Sequence, residues 1–535
     1  MHGIKRAVLP LCREKAADYC VLLFSLLVIV MTVLPFFILC CYNHPGDNDN
    51  WWIFRSFLAR KGPDVSFKSL FSMRGTFNFA NLFFTPLYNH PEGMTKELFS
   101  SFLMIYHASA AFYVLLFWGA TSSLYCALNK AFFHFQGCHA LFFYALYLYL
   151  VFNAIHYPTM AFYDLVSSSG YNAGLSYLFF FCAFAILHYG AKHKKRALYG
   201  ILCFLFFDAC IFSMEYYPFI CGCIAFAFIL YDLCTKHRIN ILHLIFLVIC
   251  LGVFFRNFLL VRTLVTPDAD GFVGKYTGGS NSGLTMAVTI STMMQSLKEN
   301  SIRYFRQLLT QRRYLPSVAM LVTGVAVTFH KKGVKLPLWG VLPFFVIIAG
   351  ICAIFSFSTP DLFVMPRYAW TPYVLMCLFI LAFLISLVLL LLHAFDRELS
   401  LDQTGDFQRV REGCSAAIRI FQEKTKNGKF LVGCTAVCML LFTWCALKNS
   451  NSCVACAWKD LLKGDAAAFN REMTDRYTAI FSAEKGEAVY LVPIVHRPTS
   501  LFVRDSMEFE VDRITYRSFF DKSEICFKIG DLILR

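Results

Sequence analysis

YCVLLFSLLVIVMTVLPFFILCCY, Tyr19 to Tyr42, carries no charge and is long enough to cross a bilayer, since a helix needs roughly 20 apolar residues to do so. The stretch that follows, NHPGDNDNWW from Asn43 to Trp52, puts two carboxylates, Asp47 and Asp49, and a tryptophan pair at the exit. An interfacial anchor explains the tryptophans, whose rings favour the headgroup level. It has no use for the carboxylates.

Composition agrees with a membrane-embedded chain. Of 535 residues 58% are hydrophobic, 17% aromatic and only 16% charged, against about 45 to 50% apolar in soluble proteins; the mean hydropathy is +0.56. The net charge of +15 reports in such a protein which loops stay in the cytoplasm, and argues for no nucleic-acid partner. Most of the 22 cysteines fall inside apolar runs, where Cys acts as a small hydrophobe.

Counting apolar runs gives about eleven transmembrane helices: Tyr19 to Tyr42, Ser101 to Cys126, Ala140 to His156, Ala173 to Tyr189, Leu198 to Ser213, Phe219 to Leu233, Ile241 to Leu260, Leu315 to Phe329, Leu336 to Phe357, Ala369 to His393 and Phe430 to Leu447. The first is too long for the apolar core of a cleaved signal peptide and shows no small-residue cleavage site. Basic clusters at Lys5, Arg6, Arg13 and Lys15, at Lys192 to Arg196, at Lys236 to Arg238 and at His330 to Lys335 all fall on one side of this alternation. The positive-inside rule makes that side cytoplasmic, which puts the first loop and the tail outside. The expected domains are therefore a polytopic helical body, 1–447, with outer loops 43–100 and 261–314, and a small extracytoplasmic α/β unit, 448–535.

The outer loops are elaborate. Loop 43–100 contains RGTFNFANLFFTPLY, Arg74 to Tyr88, apolar enough for the interface but too short to span. A long, aromatic-rich loop reads as a structured platform. Loop 261–314 joins TPDADGFVGKYTGGSNSG, Thr266 to Gly283, to an amphipathic segment, Ser296 to Arg313, with Leu297, Ile302, Phe305, Leu308 and Leu309 on one face and Lys298, Arg303, Arg306, Arg312 and Arg313 on the other. Positive charge on a translocated face fits a pocket for phosphate-bearing ligands or contact with anionic headgroups. Gly405 to Lys429 reads as an interfacial amphipathic helix on the cytoplasmic side. CVAC, Cys453 to Cys456, is open to oxidation outside the cell and is a poor zinc signal. In the tail, Ala466 to Lys485 reads as a helix, Glu487 to Val495 as a buried strand, and FEVDRITYRSFFDKSEICFKI as further strand.

Taken in order, these features resemble a family of bacterial polytopic membrane proteins related to the GT-C class of glycosyltransferases. The resemblance rests on DNDNWW in the first outer loop, Arg74-Gly75 farther along it, Asp164 with Ser169, Gly170 and Tyr171 after the third span, Glu215 at the outer end of the fifth, TPDADGF after the seventh, Arg367 before the tenth, and the tail sequences KGEAVYLVPIVHRPTSL and YRSFFDKSEICFKI. Asp47-Asn48-Asp49 stands where the class commonly has an adjacent acidic pair.

The resemblance implies an enzyme of the bacterial inner membrane, active in cell-envelope polysaccharide biosynthesis. It would move a sugar from a polyprenyl-phosphate donor to a glycan or lipid acceptor on the outer face. Such a donor already has a good leaving group, so the protein must add a base and positive charge for the departing phosphate. Asp47 and Asp49 are the implied catalytic residues, with Arg74, Asp164, Glu215, Arg262, Lys275, Arg303, Arg306 and Arg367 as substrate-binding candidates. No cofactor is required; a divalent metal, magnesium or manganese, is neither demanded nor excluded, and no metal ligand is assigned. A surface-polysaccharide polymerase or ligase would share the aromatic, basic outer face. A transporter is the third class, although the paired internal repeats expected of one are not evident.

Overall fold

The computed structural model describes residues 2–46, 48–63, 81–90, 92–155, 159–165, 168–213, 217–237, 239–264, 315–331, 374, 378, 380–393, 452–501, 503, 510–529 and 532–534. The opening apolar run is helical as far as Cys40, in α1 (His2–Cys40), which starts well before it. Arg13, Glu14, Lys15, Ala16 and Ala17 are strong helix formers and extend the helix where charge alone marks the end of a span. After α2 (Asn48–Ala59) come α3 (Lys96–Leu128), α4 (Gly137–Ala154), α5 (Ala173–Tyr189), α6 (His193–Ile211), α7 (Tyr217–Lys236), α8 (Ile241–Leu264), α9 (Leu315–Lys331) and α10 (Ile380–His393). Among the described residues four stretches are helical, long and apolar enough to cross a membrane: Asp18–Cys40, Lys96–Phe133, Gly137–Ala154 and Ser168–His188. Leu336 to Phe357, Phe430 to Leu447, the amphipathic segments Ser296 to Arg313 and Gly405 to Lys429, and the boundary at 447 lie outside the described residues.

Successive helices run up and down a bundle, so its two ends are easily told apart. One end holds the α5–α6 connection with Lys192 to Arg196, and the α7–α8 connection, where His243 Nδ1 lies 3.0 Å from the Asp232 carboxylate. Asp18 of α1 meets Cys138 at the start of α4 there. Phe329, near the end of α9, packs on Phe133, just past the end of α3, and His330 on His393 at the end of α10. This is the basic end.

At the opposite end the chain is folded back on itself. Between α4 and α5 the backbone forms π turns at Thr159–Tyr163 and Ser168–Asn172 in place of a continuous helix. Gly174 is required here, because a β-carbon would sit inside the Tyr217 ring, which is fully buried at the start of α7.

The tail comprises α11 (Cys453–Leu462), α12 (Asp465–Ser482), β1 (Ala488–Leu491), α13 (Glu510–Phe519), β2 (Glu524–Ile529) and β3 (Leu532–Leu534). Ser452 caps α11 by accepting from the Ala455 N–H at 3.1 Å, and Gly464, at φ +78°, turns the chain into α12. β2 pairs in parallel with β1 and antiparallel with β3, with Val489 opposite Ile525. The expected strand character of the whole FEVDRITYRSFFDKSEICFKI segment is corrected: Tyr516, Phe519 and Phe520 are buried at the three-and-four spacing of a helix face, and among its described residues only Glu524–Ile529 is strand. The hydrophobic core of this unit is continuous with that of the helical body.

Candidate functional site

The loop that leaves α1 turns inward. Asn43, His44, Pro45 and Gly46 are all buried, and α2 follows with Trp51, Phe54, Phe57 and Leu58 buried along one face. Trp51 is therefore no interfacial anchor. Its ring centroid lies 4.9 Å from that of Tyr516, 5.0 Å from Phe519 and 5.7 Å from Phe520, all in or beside α13. On the bundle side Phe54 packs on Phe102 and Phe84. The described part of the segment expected at the interface, Asn81–Leu87, is a short 3-10 helix with Phe84 and Leu87 fully buried against the bundle.

A buried polar cluster lies under this loop. Asn43 donates Nδ2 to the Tyr163 carbonyl at 2.9 Å, and the Tyr106 hydroxyl donates to the same carbonyl at 2.8 Å. His107 Nε2 donates to the Asn43 carbonyl at 2.7 Å. The tail supplies the remaining side: His44 Nε2 lies 2.9 Å from Asn470 Oδ1, with the rings of Phe469 and Tyr477 each 5.6 Å from its own. Burial pushes His44 down to about 3, against the opposing pull of the Asn470 bond. The imidazole is therefore neutral, Nε2 carries the hydrogen, and Nδ1 meets no partner among the described residues. Burial also holds the Tyr477 phenol well above its ordinary range.

Asp164 lies between the two π turns and is 2% exposed. Its carbonyl accepts from the Ser168 N–H at 2.8 Å. Ser169 bonds the Tyr113 hydroxyl, and Asn172 donates to the Tyr113 carbonyl. Irregular backbone at the end of a membrane bundle is tolerated where protein buries it, and π turns recur at functional sites. Of the predicted site residues, Asp49 is in the first turn of α2 and Arg262 in the last turn of α8, without described side chains. Asp47, Arg74, Glu215, Lys275, Arg303, Arg306 and Arg367 lie outside the described residues. Asp164 and the lead-in to Asp47 are brought together through Tyr163, which precedes one and binds Asn43 of the other.

Sequence reasoning missed His44, His107, Asn470 and Tyr477. His107 had a signal, being an ionisable residue inside an apolar run; Asn470 had none. Among the described residues no group of three or more His, Cys, Asp or Glu side chains forms a metal set. Cys453 and Cys456 are free thiols on α11, and burial raises both, which disfavours the reactive thiolate. Compared with known families, curated proteins and solved structures, the chain matches none of them.

Proposed function

We propose that the chain is a membrane glycosyltransferase of GT-C type, with about eleven spans and an extracytoplasmic C-terminal α/β unit. It transfers a sugar from a polyprenyl-phosphate donor to a glycan or lipid acceptor. The carboxylate of Asp47 or Asp49 takes the proton of the acceptor hydroxyl as that oxygen bonds to the anomeric carbon. The bond from that carbon to the phosphate oxygen breaks with inversion, and the lipid phosphate leaves. Arg74, Arg262, Lys275, Arg303, Arg306 and Arg367 supply positive charge for the phosphate, arginine being suited by its two-pronged donor geometry. Asp164 and Glu215 bind sugar hydroxyls.

One observation carries this reading: the loop directly after the first membrane helix is folded into the bundle and leads from a buried polar cluster into Asp47 and Asp49 at the end opposite the basic clusters. Helix direction supports the span count. α9 and α10 both end at the basic end, and α11 starts at the other.

Purified protein incubated with a panel of polyprenyl-phosphate sugars tests the reading. Asp47→Asn, Asp49→Asn or the double variant should lower turnover by roughly 100 to 10,000-fold if the required base is lost. Full turnover in all three would return both residues to a solvated loop.

A further inference from the structure

The acidic motif is gripped on both flanks by the C-terminal unit. Upstream, His44 sits three residues before Asp47, is itself buried, and is tied to the half-buried Asn470 of α12 at 2.9 Å. Downstream, Trp51 sits two residues after Asp49 and is seated among Tyr516, Phe519 and Phe520. These grips differ in kind. A buried hydrogen bond is directional and fixes how the chain is turned at His44, whereas an aromatic seat fixes where α2 sits along its axis.

The bundle holds the same segment from the other side through His107, which binds the Asn43 carbonyl, and Tyr163, which accepts from the Asn43 side chain. The bundle's polar bonds at Asn43 fix only the upstream flank. α2 also packs on the bundle through Phe54, which meets Phe102 of α3, while Phe57 meets Phe84 of the 3-10 helix Asn81–Leu87, but the ring of Trp51, nearest the motif, faces the tail.

We propose that the C-terminal unit is the clamp that positions the acidic motif, with Asn470 and Phe519 as its positioning residues. Dependence of turnover on the clamp rests on the transferase reading above; the clamping itself rests on the contacts alone. A tail that merely sealed the end of the bundle would give a different result, since loosening it would leave residues 43–59 ordered on α3.

Hydrogen exchange on the full-length protein in lipid nanodiscs separates the two. Asn470→Ala should speed exchange in peptides spanning 43–59 by about tenfold, the scale of one buried hydrogen bond, while α4 is unchanged. Asn470→Asp keeps an acceptor oxygen and should restore slow exchange. Phe519→Leu tests the other flank independently and should speed exchange across α2. In an active wild type, both loosening variants should lower kcat and leave the donor KM unchanged. Unchanged exchange across 43–59 in both, with α12 loosened, would overturn the clamp; faster exchange with unaltered kcat in an active wild type would overturn the dependence of turnover on it. A wild type that transfers sugar from no donor defeats the transferase reading, and the exchange experiment still decides the clamp.

Discussion

At His44 burial sets the cost of charge. The imidazole is enclosed by His107 of α3 and by Phe469, Asn470 and Tyr477 of α12, and its protonation is pushed from 6.5 down to about 3. The unfolded chain binds a proton near pH 6.5 and the folded chain does not. This group's contribution is thus fully present above that pH and falls away as the pH drops toward 3. The loss grows by about 1.4 kcal/mol per pH unit, so roughly 2 kcal/mol is gone near pH 5. Docking of α12, read by hydrogen exchange across Asp465–Ser482, should weaken over that range. His44→Gln, which cannot titrate, should flatten the dependence. Because His107 also faces the ring, His107→Gln is the control: retention of the full slope in His44→Gln and its loss in His107→Gln would assign the effect to the wrong histidine.

On the scale of elements, the attachment of α11 to α1 turns on one proline. Pro35 has no N–H, so the Met31 carbonyl four residues earlier lacks its helical partner. The indole N–H of Trp458 donates to that carbonyl at 2.7 Å. Met31 is about two and a half turns before Cys40, inside the apolar stretch Asp18–Cys40, so the tail begins alongside a span. Asn153 fastens α11 from α4 by accepting from the Val454 N–H at 3.3 Å. Trp458→Phe should cost about 1 to 3 kcal/mol, the penalty of a polar group left unmet. Pro35→Ala supplies the missing N–H, so the same change should cost clearly less in that background; equal costs in thermal unfolding would deny the link. The apolar runs made α3 to α8 legible in the sequence as helices, because length and apolar composition are local properties. The seam was not legible: His44 and Asn470 are 426 positions apart, and an Asn on a polar helix gives no sign of which ring it meets. In and beside α13, Tyr516, Phe519 and Phe520 carry helical spacing, but Phe509 and Val511 just before them alternate as in a strand, and that shorter period suggests strand for the whole segment.

For the whole molecule, the two ends differ in what each would cost to move across a bilayer. The basic end gathers Lys192 to Arg196 and Lys236 into or beside short connections between apolar helices, and it is in such short loops that lysine and arginine fix orientation. The other end carries the tail, whose own charges weigh little, because long segments translocate largely regardless of charge. The tail is also bound to that end by Trp458, Asn153, Asn470 and the aromatic seat of Trp51, so it cannot lie on the opposite face without breaking the shared core. Reporters fused after Arg196 and after Arg535 should therefore report opposite compartments, with Arg196 in the cytoplasm. Lysine and arginine removed from 192–196 should weaken that preference, and cationic residues added to the loop around Asp47 should oppose it. Two fusions in one compartment would contradict the two-ended arrangement. Opposite compartments with Arg196 outside would keep the arrangement and reverse its orientation, leaving Asp47 and Asp49 on the cytoplasmic face, where a donor presented from outside could not reach them.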